Sequence, residues 1–206
     1  NTGQLCVART RLIVHEKCKE QVLEAIRLET KKVFTIGSPL DEAVNFGPIA
    51  SGKQFNRVSE YLALGAKENV NIQTLETAGI QPAKGYFQQP VIFDNARNES
   101  RIAQEEIFGP AMAVLTFKTD EEAIQIANAV NYGLAATAWT QNLGRARRLA
   151  RDINSGRVDI RTCGVAEAPD TLLSAEPFGH SGHGVVGGRQ GLASFMRLKA
   201  VQIITD

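Results

Sequence analysis

Apolar and polar positions along this chain follow two rhythms, one helical and one of strands. Arg11-Leu12-Ile13-Val14 is a short, β-branched run that predicts a buried strand. From His15 to Phe34, residues Val22, Leu23, Ile26, Val33 and Phe34 keep to one face and predict an amphipathic helix. Gly37, Pro39 and Gly47-Pro48 punctuate a loop, after which Ser51 is placed to cap a helix. That helix carries Phe55, Val58, Tyr61 and Leu62 and is expected to stop near Gly65. Val70–Leu75 predicts another strand, and a turn-rich stretch through Gly79, Pro82 and Gly85 leads to Val91-Ile92-Phe93.

Ala111–Phe117 reads as a clear strand, followed by Thr119 and Glu122 as a capping box for a helix running to about Asn131. Leu134–Thr140 predicts a strand, Leu143–Asn154 a basic helix, Val158–Ile160 a strand, Gly179–Gly191 a glycine-rich loop, and Leu198–Thr205 a terminal strand. Strands alternating with helices across short connections predict an α/β fold with a largely parallel sheet.

Length and charge narrow the picture. At 206 residues the chain can bury one substantial core, and hydrophobic and charged fractions of 43% and 22% are those of an ordinary globular protein. A formal net charge of +1 gives no overall electrostatic footprint for nucleic acid or an anionic membrane. No apolar run approaches the roughly 20 residues that span a bilayer. The chain opens on Asn1-Thr2-Gly3-Gln4, without an initiator methionine or the parts of a signal peptide, so a piece of a longer protein is expected. Its 3 cysteines are far apart and have no CxxC spacing. Free thiols suit a reducing compartment, so the expected location is cytoplasmic.

Two short segments carry candidate chemistry. Cys6 supplies a thiol whose thiolate can form a covalent adduct with a carbonyl, splitting a hard oxidation into two easier steps. Taken alone, a cysteine among apolar neighbours is more often a small buried hydrophobe, and the same holds for Cys18 and Cys163. In Glu105-Glu106-Ile107-Phe108-Gly109-Pro110, a rigid Gly-Pro turn can present a carboxylate to paired ribose hydroxyls and a ring to a nicotinamide face. A solvated acidic pair beside a core phenylalanine explains that hexapeptide equally simply.

Together the segments resemble the aldehyde dehydrogenase family. Asn1-Thr2-Gly3-Gln4-Leu5-Cys6 is similar to its Gly-Gln-x-Cys nucleophile signature. In the family's order there follow Gly37–Asp41, Asn45–Ile49, Gly85–Pro90, Gln104–Pro110, Tyr132–Ala136 and Glu176–Gly179.

The resemblance implies a three-layer α/β/α sandwich, with residues 1–196 as a catalytic domain and 197–206 as a terminal strand for oligomerisation. It implies NAD(P)-dependent oxidation of a small-molecule aldehyde to a carboxylate, with Cys6 as nucleophile and its backbone N–H as an oxyanion donor, a role typically worth about 3–4 kcal/mol. Glu106 would hold the nicotinamide-side ribose, with Phe108 beside that ribose and ring, while Gln54 and Arg57 align more loosely with cofactor contacts. Phe178 would form a wall of the substrate pocket. The resemblance also places the family's Glu-Leu-Gly-Gly general base, its asparagine oxyanion donor and its nucleotide-binding domain upstream of Asn1, which would leave the isolated fragment inactive.

Some positions depart from the pattern. Asp159-Ile160-Arg161 replaces a Trp-Val-Asn segment, and His180-Ser181-Gly182-His183 is a shortened form of the loop after Pro-Phe-Gly. Arg161 can pair with a substrate carboxylate, or with Asp159, Glu167 or Asp170 in a plain salt bridge. His180 and His183 lack a nearby third ligand, so no metal site is expected. Gly184–Gly188 lacks the strand-to-helix context of a dinucleotide fingerprint. Three alternatives stand beside the leading reading: a CoA-acylating enzyme, a catalytically incompetent homo-oligomerisation or scaffold module built on Leu198–Thr205, and a cysteine hydrolase using His15, His180 or His183 as base.

Overall fold

In the computed structural model, which describes residues 1–162 and 173–205, the period-two alternation of the strands decides which helix covers which face. The chain divides into two compact units, Asn1–Val130 and Asn131–Asp206. In order, the first contains β1 (Arg11–His15), α1 (Lys19–Val33), β2 (Thr35–Ile36), α2 (Gly52–Lys67), β3 (Asn71–Thr74), β4 (Ala78–Gly79), β5 (Val91–Asp94), α3 (Arg101–Gln104), β6 (Ala111–Phe117) and α4 (Asp120–Asn128). The second contains β7 (Tyr132–Gly133), β8 (Ala135–Trp139), α5 (Leu143–Asp152), β9 (Arg157–Arg161), β10 (Phe178–Gly179) and α6 (Gly188–Ala193).

The first unit is built on a four-stranded sheet ordered β1-β6-β5-β3, parallel across its first three strands and antiparallel at β3. Leu12, Val14, Ile92, Met112 and Val114 point to one face, where Val22, Leu23 and Ile26 of α1 cover them. Ile13, Val91, Phe93, Ala111, Ala113 and Leu115 point to the other, under Phe55, Val58, Tyr61 and Leu62 of α2 and Ile126 of α4. Helices on both faces make this unit a three-layer α/β/α arrangement, as the alternation requires. Phe93 is fully buried at its centre. Phe93→Ala is therefore expected to lower unfolding stability by about 3–5 kcal/mol, measured by urea titration.

Local chemistry explains where elements begin and end. Ser51 Oγ accepts from the Gln54 N–H at the start of α2, and Thr119 Oγ1 accepts from the Glu122 N–H at the start of α4. The Glu122 carboxylate reaches back to the Lys118 N–H, one residue outside the expected box. Several elements differ from the sequence reading. A 3₁₀ turn over Glu16–Cys18, capped by His15 Nδ1, comes before α1, so Cys18 sits at the helix entrance. Gly65 does not stop α2, because the Phe93 ring fills the space its absent side chain leaves, 2.7 Å from where a Cβ would be. Helix α4 ends at Asn128, with the half-buried Arg11 guanidinium donating to the Ile126 and Ala127 carbonyls of its last turn.

In the second unit β8 and β9 pair in parallel, joined through α5, which packs on β9, while β7 and β10 pair antiparallel. The largely parallel sheet expected for the chain is thus one four-stranded mixed sheet together with separate two-stranded pairs among the described residues. The stretch expected as a loop at 179–191 contributes to β10 and α6. Among the described residues, 196–205 pair with no strand of this single chain. Strand structure needs a neighbouring edge, and Leu198, Val201, Ile203 and Ile204 are exposed instead. No helix among the described residues is long and apolar enough to cross a membrane.

Candidate functional site

The Cys6 loop is held by the residues that precede it. Thr2 is buried and donates through Oγ1 to the Gly47 carbonyl at 3.0 Å. Gln4 accepts from the Ala50 N–H at 2.8 Å through Oε1 and donates through Nε2 to the Asn1 carbonyl. Thr2 and Gly3 both have left-handed backbones, with φ of 54° and 69°. At Gly3 a Cβ would collide with the Gly109 carbonyl, so only glycine lets the two backbones approach this closely. Beyond this anchor, Leu5–Ala8 forms a turn closed by the Ala8 N–H to the Leu5 carbonyl, with Cys6 at its second position. The Cys6 side chain is exposed, and its backbone N–H donates to no acceptor among the described residues.

Opposite this loop stands the acid–aromatic turn, gripped by one face of α2. Residues 54, 57, 58 and 61 follow helical i, i+3, i+4, i+7 spacing and so share a side of the helix. Gln54 Nε2 donates to the Ile107 carbonyl at 2.8 Å and to the Phe108 carbonyl at 2.9 Å. Arg57 Nη2 donates to the Glu106 carbonyl at 2.6 Å and to the Tyr61 hydroxyl at 3.2 Å. The Tyr61 hydroxyl donates to the Glu105 carboxylate at 2.5 Å, and Val58 occupies the space a Cβ on Gly109 would need. Phe108 is held at φ 60°, an unusual backbone for a bulky residue, which persists only where its surroundings over-determine it. Glu106 is exposed and Phe108 is half-buried.

Asn1, Thr2, Gln4, Gly47, Pro48 and Phe108 line one cleft of about 620 Å³. The structure thus brings together the segment leading into Cys6 and the ring of the acid–aromatic turn. Cys6 lies outside that lining, two residues beyond Gln4. Gln54 and Arg57, expected at the cofactor, direct their hydrogen bonds to the turn itself. Phe178 and Arg161 belong to the second unit. Phe178 lies half-exposed on β10 opposite Gly133, and Arg161 lies on β9 opposite Trp139. Asp159 pairs with Arg157 at 2.9 Å, while Cys163, Glu167 and Asp170 lie outside the described residues. The His180 ring packs edge-on to Tyr132, and the described residues contain no group of three metal-ligating side chains. A second hollow of about 410 Å³, between β6 and α4, is lined by Asn98, Glu99, Thr116, Glu122 and Gln125, with no cysteine among its lining residues.

The sequence reading gave Thr2, Gln4, Tyr61 and Glu105 no contact of their own at the site. Tyr61 was legible only as an apolar position, because helical spacing identifies the buried ring and not the target of its hydroxyl. Glu105 carries the strongest electrostatic signature here. The Arg101 guanidinium, and then the Tyr61 hydroxyl, hold its carboxyl down to about 2 from the ordinary 4.5. A depressed folded-state value means this contribution is complete above pH 4.5 and fades as pH falls toward about 2. The melting-temperature gap between the wild-type chain and Glu105→Gln is therefore expected to be widest above pH 4.5 and to close near pH 2. A gap constant across that window in thermal melts would rule this out.

Gly3 packs the Cys6 loop against the Glu105–Pro110 turn, and these two segments carry the family resemblance. The profile of the aldehyde dehydrogenase family matches residues 1–201, and the chain belongs to that family. A Staphylococcus epidermidis relative, itself provisionally designated an aldehyde dehydrogenase, is 39% identical over 207 residues, covering 98% of this chain and 42% of its own length. Among solved structures, the indole-3-acetaldehyde dehydrogenase AldA of P. syringae, a cysteine-to-alanine variant in complex with NAD⁺ and IAA, is 36% identical with a TM-score of 0.86. The match covers 96% of this chain and 39% of that one. Betaine aldehyde dehydrogenase of Staphylococcus aureus, in complex with NAD⁺, is 28% identical with a TM-score of 0.80 over 94% of this chain and 38% of that one. The chain therefore spans about two-fifths of the length of the curated relatives it matches.

Proposed function

We propose that this chain carries the nucleophile and the cofactor turn of an NAD(P)-dependent aldehyde dehydrogenase that converts an aldehyde to a carboxylate. The observation that supports this best is the shared cleft: Asn1, Thr2 and Gln4, just before Cys6, and Phe108 of the acid–aromatic turn line it together, with Gly3 packed against Gly109.

Cys6, having given up its proton to solvent, attacks as the thiolate: Sγ forms the new bond to the carbonyl carbon, and the carbonyl oxygen takes up the displaced electron pair. The Cys6 N–H, uncommitted among the described residues, is available to that oxygen, as an oxyanion donor must be. The residues present suit the cofactor: the exposed Glu106 carboxylate can accept from ribose hydroxyls, and the half-buried Phe108 ring can lie against a flat nicotinamide. When bound, NAD(P)⁺ would supply a hydride acceptor, allowing the adduct on Cys6 to be oxidised from thiohemiacetal to thioester. Hydrolysis of that thioester frees the Cys6 thiol and yields the carboxylate.

The general base, the second oxyanion donor and the nucleotide-binding domain belong, on this reading, to residues outside these 206, so the isolated chain is expected to be inactive. Phe178 and Arg161 are read as substrate-pocket residues, and residues 197–206 as a strand that pairs with a neighbouring copy, consistent with the exposed Leu198, Val201, Ile203 and Ile204.

The test is to incubate the product of the full reading frame with NAD⁺ and a panel of aldehydes, with and without CoA. Acid quenching then allows the Cys6 peptide to be examined by mass spectrometry. An acyl adduct on Cys6, with carboxylate released in the absence of CoA, supports the reading. NADH formation that requires CoA would shift the assignment to an acylating enzyme. Turnover without any adduct on Cys6 would end it.

A further inference from the structure

Every residue of the turn from 105 to 109 meets a partner on one face of α2. Glu105 meets Tyr61, the Glu106 carbonyl meets Arg57, the Ile107 and Phe108 carbonyls share Gln54, and Gly109 packs on Val58. We propose that this face of α2 is a positioning device for the cofactor turn. Gln54, Arg57 and Tyr61 set cofactor affinity by fixing the backbone at 105–108. The inference rests on the reading of Glu106 and Phe108 given above.

Three observations carry it. A primary amide has two N–H donors, and Gln54 directs Nε2 to two turn carbonyls, leaving no donor for a ribose or carboxamide. Arg57 links the backbone and side-chain halves of the grip, since Nη2 reaches both the Glu106 carbonyl and the Tyr61 hydroxyl. Its guanidinium also lies 5.2 Å from the centre of the Tyr61 ring, with Arg101 at 5.9 Å, so both cations brace the same phenol. What the grip holds is a strained geometry. Phe108 at φ 60° presents its ring to the cleft only while the flanking carbonyls stay fixed, because relaxing φ to the ordinary negative range would swing both the ring and the Glu106 carboxylate.

The test compares Tyr61→Phe, Gln54→Met, Arg57→Met and Arg57→Lys with the wild type, each made in the product of the full reading frame. NAD⁺ affinity is measured by calorimetry, and amide hydrogen exchange at 105–109 is measured without cofactor. Losing a grip contact is expected to speed exchange at 105–109 and to weaken NAD⁺ binding, each by about tenfold, the scale of one net hydrogen bond. Cofactor-free alkylation of Cys6 by iodoacetamide should change less than exchange at 105–109, because Thr2 and Gln4 also tie the loop to Gly47 and Ala50, outside the turn. Arg57→Lys, which keeps a donor, should recover part of what Arg57→Met loses. Unchanged exchange at 105–109 would overturn the proposal, as would faster exchange spread evenly over the whole chain with a lowered melting temperature. If the wild type binds no NAD⁺, it is the assignment of Glu106 and Phe108 that fails, and the exchange measurement alone then decides whether α2 fixes the turn.

Discussion

Replacing Cys6 with serine in the product of the full reading frame is expected to cut aldehyde-dependent NADH formation by roughly 10⁴-fold or more, the scale on which removal of a covalent nucleophile acts. A hydroxyl at this position is a poor nucleophile without a base to deprotonate it. Nor does the alkoxide form readily at neutral pH, whereas a thiol supplies some thiolate unaided. Because the Cys6 side chain is exposed in a turn, the substitution should leave folding intact. Melting temperature and NAD⁺ affinity are therefore the controls, both expected within error of the wild type. A variant that still turns over at a tenth of the wild-type rate would remove Cys6 from the chemistry.

The second large effect is expected at Gly3, which touches no reactant. Gly3→Ala must place a methyl group where the Gly109 carbonyl oxygen sits, on a backbone at φ 69° that alanine adopts reluctantly. The contact is backbone against backbone, so no flexible side chain can give way. Either the nucleophile loop or the turn must move. A displacement of about 1 Å at a reacting group can cost on the order of 10²-fold in rate, and overpacking of this kind costs about 1–3 kcal/mol in stability. Both losses are expected together, read from kcat/KM with NAD⁺ and from urea unfolding. Gly47 offers the comparison: its φ is ordinary and its nearest neighbour, Pro39 Cβ, lies 3.9 Å from where a Cβ would stand, so Gly47→Ala should be close to neutral. If Gly3→Ala behaved like Gly47→Ala, the close packing of the two segments would not matter to catalysis.

The sequence made the local chemistry of the first unit readable and left its tertiary partners hidden. Ala111–Phe117 as a strand, and Ser51 and Thr119 as caps, follow from side-chain alternation and from hydroxyls placed just before apolar periodicity, and all three stand. The expected end of α4 at about Asn131 was too late because the groups at its C-terminus are satisfied by Arg11, 115 residues away in sequence from Ile126. No local pattern encodes that. The terminal segment illustrates the opposite limit. Leu198 to Thr205 has the composition of a strand, yet composition cannot supply the edge a strand must pair with, and the described residues form none there.

Cys6, Glu106 and Phe108 stood out in the sequence as candidates because they fall in recognisable motifs. Gln54 and Arg57 were legible as positions of interest but not in their contacts, since a polar side chain on a helix reveals nothing of which backbone it will meet. The pairing of Gly3 with Gly109 was invisible for the same reason: glycines advertise permissive backbone without naming what comes close.

The grip of α2 on residues 105–109 bears on attempts to redesign this enzyme class. Residues 54 to 61 and 105 to 109 lie some fifty positions apart, yet they behave as one mechanical part. A loop transplanted from a homologue would arrive without the helix side chains cut to fit its carbonyls. Chimeras that exchange both segments together should keep their affinity for the dinucleotide, and those that exchange one alone should lose it.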